Sequence, residues 1–293
     1  MSRRREAWQQ HAHIEKPGQA SPFAVRFLTR FMLPLVRVLF RATLTGEEQL
    51  PTKGAFLLVA NHPSSLGVAE FAAFMALYAD RFGGSRPLAG FAHAASFRWW
   101  PLSIVFPQIG AIPSTYEAAA CTLSAGVPIA LFPGSDHEGF RPFWQQGRAD
   151  FGGRVGFLRL AKQAWVPIVP MAFIGVTAPL LHRSFVLPYL FAWPRLVGVK
   201  RYGLSVLAVV GALLIMALVP LAWHWRALLV FGWAASPLAM LSWLPVRVQI
   251  RIGAPISPEA LFGDRLAADA ALVPALSQVE AGVQRLIDGG AIN

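Results

Sequence analysis

Val59-Ala60-Asn61-His62-Pro63-Ser64-Ser65-Leu66-Gly67-Val68-Ala69-Glu70 is the stretch on which the reading of this chain turns. Ala55 to Ala60 is an apolar run of strand length, and Asn-His-Pro-Ser-Ser ends it abruptly with turn chemistry. Leu66 to Ala79 mixes small and large apolar residues and reads as a buried helix, stopped by Gly83-Gly84-Ser85-Arg86-Pro87. His62 stands at the end of a buried strand, with a carboxylate eight residues on at Glu70. That spacing fits a general base and its orienting partner. It also fits a capped turn followed by a solvated helix acid, and these residues alone favour that simpler reading.

Further along the chain the pattern recurs. Val127 to Phe132 is a second apolar strand, ending in Pro133-Gly134-Ser135-Asp136-His137-Glu138-Gly139. Val166 to Phe173 is a third, bracketed by prolines, and Glu117 to Ala125 and Val155 to Ala164 read as helices. Alternating strand and helix argues for an α/β fold, in which ligands gather beyond the carboxyl ends of strands. The two polar strand ends are therefore expected to share one site. Gly134 lets backbone N–H groups approach an oxyanion or a phosphate. Asp136, His137 and Glu138 are adjacent and cannot easily converge on one ion, so no metal is expected. Cys121 is the only cysteine, which excludes an intrachain disulfide and a cysteine-cluster metal site; it reads as a small buried side chain.

The chain has 293 residues, 55% of them hydrophobic and only 14% charged, with a net charge of +11 and a mean hydropathy of +0.48. Ordinary soluble domains carry roughly 25% charged residues. Scarce charge, a basic balance and ten tryptophans favour an anionic membrane surface over nucleic acid as partner. Residues 1–21 read as a disordered basic tail without a secretory core. Residues 22–45 read as an amphipathic interfacial helix carrying Arg26, Arg30, Arg37 and Arg41 on one side, with Pro34 kinking or dividing it. Residues 46–293 read as one domain with a hydrophobic helical insert at 203–245. Gly203 to Trp223 is long enough and apolar enough for a membrane span, and Ala227 to Leu244 is a shorter candidate. Trp223, Trp225, Trp233 and Trp243 would anchor them at the interface. The insert reads as two spans or a re-entrant hairpin, or else as a pair of buried core helices. Val246 to Ile252 alternates in period two and is expected to rejoin the main sheet. The final helix has Leu276, Val279, Val283 and Leu286 on one face.

Several ordered blocks resemble the lysophospholipid/glycerol acyltransferase family, and most nearly its diacylglycerol acyltransferase-like bacterial branch. They are Asn61-His62-Pro63-Ser64-Ser65, Gly110-Ala111-Ile112-Pro113 and Phe132-Pro133-Gly134-Ser135-Asp136-His137-Glu138. Asp150-Phe151-Gly152-Gly153-Arg154-Val155-Gly156-Phe157, Val166-Pro167-Ile168-Val169-Pro170 and the late Gly253-Ala254-Pro255-Ile256 follow in order. The resemblance implies a mixed sheet flanked by helices, of the glycerol-phosphate acyltransferase kind. It implies direct acyl transfer from acyl-CoA or acyl carrier protein to the hydroxyl of a lipid such as a lysophospholipid or diacylglycerol, without a cofactor. It also implies a membrane protein with its catalytic domain on the cytoplasmic face.

By the same resemblance, His62 is the base and Glu70 its orienting acid. Ser64, Ser65, Pro133, Gly134, Ser135, Glu138, Arg141 and Arg154 are the candidate substrate contacts. The sequence departs from the family at three places. Gly67 stands where the family places an aspartate, so Glu70 would have to reach back one helical turn to the imidazole. Ser114 follows the Gly-Ala-Ile-Pro turn where an arginine is usual, and the third block has Pro-Gly-Ser in place of Pro-Glu-Gly. These departures keep open a catalytically inactive lipid-binding homologue. A lipid or thioester hydrolase using the same His-Glu pair is the other alternative.

Overall fold

In the computed structural model, residues 18–64, 67–98, 100–175, 180–196, 199–241, 247–266 and 269–289 are described, and the strand runs fall into place as one sheet. The strands are β1 (Thr43–Thr45), β2 (Leu57–Ala60), β3 (Ala89–Ala92), β4 (Ala111–Pro113), β5 (Ile129–Leu131), β6 (Ile168–Ile174), β7 (Leu180–Ser184), β8 (Tyr202–Ser205) and β9 (Gln249–Ile252). The main sheet runs β1-β9-β6-β2-β5-β3-β4, and β7 and β8 form a separate antiparallel ladder. β2 to β6 are mutually parallel where they pair; β9 lies antiparallel to β6 and parallel to β1. The sheet is thus mixed, and the late strand does rejoin it.

Apart from two four-residue helical turns at Leu187–Leu190 and Trp193–Leu196, the α-helices of the described residues are α1 (Pro22–Phe27), α2 (Leu33–Leu39), α3 (Val68–Phe82), α4 (Leu102–Gln108), α5 (Tyr116–Ser124), α6 (Ser135–Gly139), α7 (Gly156–Ala164), α8 (Val206–Leu218), α9 (Trp223–Ala235), α10 (Pro258–Phe262) and α11 (Leu272–Ile287). Successive strand residues face opposite ways. Leu57 and Val59 of β2 therefore pack with α5, α7 and α11, while Leu58 and Ala60 pack with α2 and α3. Helices cover both faces, and Leu276, Val279, Val283 and Leu286 are buried as their spacing requires.

The N-terminal helix is modified rather than broken by Pro34. Pro34 has no N–H to donate, and the backbone widens into a π-helical turn at Leu28–Met32 between α1 and α2. Ala24, Leu28, Leu33 and Val36 face the domain, while Phe23, Phe27, Phe31, Leu35 and Val38 form an exposed apolar stripe. The arginine side is shorter than expected, because Arg41 lies beyond α2. Arg37 pairs with Asp80 on α3 at 3.0 Å. Cys121 is exposed on α5, contrary to the buried position expected of it.

The insert differs most from its expectation. Gly203 to Trp223 is not one helix. Gly203 to Ser205 belong to β8, Ser205 caps α8 by accepting the Ala208 N–H at 2.9 Å, and α8 ends at Leu218 before Val219-Pro220. Among the described residues no helix is long and apolar enough to cross a membrane, so the two-span reading is withdrawn. At 1.5 Å per residue α8 and α9 are each about 20 Å long, against a hydrocarbon core of about 30 Å. The buried-core alternative fails as well: Leu213, Leu218, Trp223, Trp225 and Leu228 are each more than half exposed. The pair is held at its base, where Trp193 donates to the Ala235 carbonyl at 2.7 Å and Tyr202 to the same oxygen at 3.1 Å. Trp233 on α9 donates to the Leu207 carbonyl at 3.1 Å and fills the space left by Gly211 on α8. Trp99, Trp243, Val246 and the tail at 1–17 lie outside the described residues.

Candidate active site

β2 and β5 are parallel neighbours, with Leu57 opposite Ile129 and Val59 opposite Leu131. Their polar continuations therefore leave the sheet side by side. His62 and the 133–139 turn both line a cavity of about 1840 Å³. Its walls are mainly apolar: Phe71, Phe74 and Met75 from α3, Phe106 from α4, and Tyr202 and Met240 from the region of the insert. A cavity of this size exceeds ordinary small-ligand pockets of roughly 300–1,000 Å³ and suits long hydrocarbon chains.

Asn61 sets the direction of the first turn. Its side chain mimics a strand neighbour, donating to the Phe173 carbonyl at 3.0 Å and accepting the Phe173 N–H at 2.8 Å. His62 follows with its ring between Phe71, at 6.1 Å and 87°, and Phe132, at 5.4 Å. Burial lowers the His62 pKa to about 4, so the imidazole is neutral and able to accept a proton at pH 7.

Glu70 does not orient that imidazole. Its Oε1 accepts the Ser64 N–H at 3.0 Å and its Oε2 accepts the Ser64 hydroxyl at 2.8 Å. The Gly67 N–H in turn reaches the Ser64 oxygen at 3.2 Å. Glu70 leans back toward the turn as a first-turn helix residue should, but Ser64 intercepts it. Ser64 is buried and engaged by Glu70, so it is no substrate contact either. Burial raises the Glu70 pKa, opposed by these hydrogen bonds. Ser65 lies outside the described residues.

Gly67 does face the histidine. A Cβ built on it would lie 3.0 Å from His62 Cε1 and 2.6 Å from the Phe71 ring, and its φ of +65° disfavours any side chain. The position that the resemblance assigns to an acid points at the ring, and Phe71 occupies the space.

Glu138 is likewise a clamp. Its Oε2 accepts the His62 N–H and its Oε1 the Asp150 N–H, both at 3.0 Å, with Arg141 at 3.8 Å. A Cβ on Gly134 would collide with this carboxyl, which explains the glycine. Burial pushes the Glu138 pKa up to about 7 against the pull of those donors. Arg141 is also buried, donating to the carbonyls of Arg148 and Asp150 and pairing with Asp150, so neither residue is a substrate contact as expected. Asp136, His137 and Glu138 point three ways, to Arg154, Asp150 and the His62 N–H. Among the described residues no group of three potential ligands is placed to hold a metal.

Pro133, Ser135 and Arg154 line the cavity with His62. Arg154 donates to the Pro133 and Gly134 carbonyls at 3.0 and 2.8 Å and pairs with Asp136 at 2.6 Å. The Ser135 N–H is taken by the Phe132 carbonyl, which removes it as an oxyanion donor. Ser135 itself has a φ of +42°, a conformation that costs a non-glycine residue about 1–3 kcal/mol.

Residues 41–174 match the acyltransferase family model. The matched segment includes both polar strand ends and stops at β6, before the β7–β8 ladder and the insert. An uncharacterized protein of Mycobacterium tuberculosis is 32% identical over 194 residues, which are 57% of this chain and 50% of that protein. One from Mycobacterium leprae is 31% identical over 173 residues, 51% and 43% of the two chains. The chain thus spans about half the length of the curated relatives it matches. The crystal structure of 1-acyl-sn-glycerophosphate acyltransferase PlsC from Thermotoga maritima covers 99% of this chain and 84% of that one at 17% identity, with a TM-score of 0.48.

Sequence reasoning missed the reciprocal Asn61 amide, the Phe71–Phe132 pair and two arginines on the β7–β8 ladder. Asn61 gives no local sign of its role, because its partner Phe173 lies 112 residues along the chain. The arginines had no local signal, since they sit in the apolar third of the chain.

Proposed function

We propose that this protein is a membrane-surface O-acyltransferase acting on a lipid hydroxyl. The observation that carries the reading is a neutral His62 lining a large, mainly apolar cavity, within the segment that matches the acyltransferase family model. His62 takes the hydroxyl proton as the oxygen attacks a thioester carbonyl. The new C–O bond replaces the C–S bond, and the departing thiolate receives the proton. Acyl-CoA or acyl carrier protein is the donor, and a lysophospholipid or diacylglycerol the acceptor. Orientation of the ring falls to Phe71, Phe132 and the Glu138 clamp on the backbone.

The exposed stripe on α1 and α2 and the exposed sides of α8 and α9 support binding to one leaflet of a bilayer; that the leaflet is the cytoplasmic one is part of the proposal itself. Contiguous apolar surface of this kind marks membrane or partner contact. The missing carboxylate on the imidazole favours a second reading, an inactive lipid-binding homologue; the hydrolase is the third. Purified protein with labelled acyl-CoA or acyl carrier protein and a panel of lipid acceptors separates them. Acylated lipid supports transfer, free fatty acid alone supports hydrolysis, and bound lipid without turnover supports the inactive reading.

A further inference from the structure

Three guanidinium groups converge beside the 133–139 turn. Arg154 pairs with Asp136 at 2.6 Å, and Arg201 lies 3.9 Å from the same Oδ1. Arg183 donates to the His137 carbonyl at 3.2 Å. Arg183 belongs to β7, and Arg201 stands one residue before β8. The ladder pairs Ser184 with Tyr202 and so sets the two arginines at the same end. Arg201 also lies over the Phe185 ring at 5.2 Å.

One carboxylate cannot neutralise three such cations, and Asp136 is already engaged by Arg154. Arg201 Nη1, the atom 3.9 Å from Asp136, is buried and makes no hydrogen bond among the described residues. A buried charged donor without a hydrogen bond is costly unless an anion comes close enough to accept one. Burial lowers the Arg201 pKa; Asp136 opposes this, while Arg183 and Arg154 reinforce it. A purely structural clamp needs one arginine per carboxylate, so the surplus charge asks for a ligand. Asp136 and Arg154 line the cavity that His62 also lines, which puts such a ligand beside that cavity.

We infer that Arg183 and Arg201, together with Arg154, form a binding site for a phosphate group of one of the substrates. Arg183 and Arg201 both lie outside the segment that matches the acyltransferase family model. The inference rests on the acyl-transfer reading only for the identity of the phosphate carrier, either a lipid headgroup or the phosphates of CoA.

The test is direct binding, which needs no turnover. Wild type, R183Q, R201Q, R201K and the remote surface control R285Q are titrated with CoA and with lysophosphatidic acid or monoacylglycerol in matched neutral micelles. Thermal melting checks that each variant is folded. Loss of a charge-assisted contact should weaken phosphate-bearing ligands roughly tenfold or more in R183Q and R201Q, with monoacylglycerol unchanged. R201K should lose less than R201Q, and R285Q should match wild type. A loss confined to lysophosphatidic acid assigns the site to the acceptor headgroup, and one confined to CoA assigns it to the donor; both support the inference. Folded R183Q and R201Q that bind every phosphate ligand as wild type does would overturn it. If binding falls as expected but no variant or wild type transfers acyl groups, the site stands and the transfer reading fails.

Discussion

Two buried glutamates flank the candidate base, and they hold it by different routes. Glu70 acts locally, fastening Ser64 six residues before it in the same turn. Glu138 acts at long range, reaching from the neighbouring strand end to the His62 N–H 76 residues away. Both carboxylates bind backbone and neither touches the imidazole. Position 67 faces the ring but is closed by Phe71. The comparison teaches that here the histidine is positioned through its main chain and two aromatic rings, where a side-chain carboxylate was expected.

His62→Ala should have the largest effect, lowering the transfer rate by ~10²–10⁴-fold with the melting temperature nearly unchanged. An equal rate would remove His62 from the reaction. The long-range clamp comes next. Glu138→Ala strips two N–H groups and a buried arginine of their partner, and should cost about 3 kcal/mol in denaturant unfolding. Glu70→Ala should cost about 1–3 kcal/mol, through unsatisfied groups on Ser64 alone. A larger loss at Glu70 than at Glu138 would reverse the comparison.

The pH dependence sharpens it. The His62 pKa is depressed to about 4, so kcat/KM should hold down through pH 6.5 and fall as pH drops through about 4. The stability that comes from burying neutral His62 is present above pH 6.5 and lost over the same descent. Glu70→Gln should leave this acid limb in place, since Glu70 makes no contact with the ring; a shifted limb would restore the orienting role. Glu138 has the opposite sign. Its folded pKa is raised to about 7, so its contribution is complete below about 4.5 and lost as pH rises through 7. The stability difference between wild type and Glu138→Gln should therefore fall across that window. The smallest effect is expected at Gly67→Ala. It should lose about 1 kcal/mol from its left-handed backbone, with a modest fall in rate as the Phe71 ring gives way beside His62.

Sheet strands and most helices were legible because their apolar runs are short, periodic and bounded by Gly and Pro, as at Leu57 to Ala60 and Val166 to Ile174. The pairing of His62 with the 133–139 turn was legible from two abrupt strand ends. The direction of Glu70 was not, because one helical turn brings Ser64 and the His62 ring within reach of the same carboxylate. The insert misled for a related reason. Hydropathy counts apolar residues without seeing that Ser205 starts a helix partway through the run and that Pro220 follows its end. Arg183 and Arg201 acquire meaning only from the β7–β8 register.

β1 has its sheet partner in β9, which is made about two hundred residues later. One edge of β6 waits for the same strand. At ribosomal speeds of roughly 5–20 residues per second, β6 is left half-paired on the order of ten seconds while α8 and α9 emerge. A nascent chain in that interval presents open strand edges and its most apolar hairpin together, the combination from which aggregates grow. A chain that stops short of Gln249 keeps both turns of the candidate site but leaves β1 and one edge of β6 without their partner, and is expected to aggregate before any question of catalysis arises.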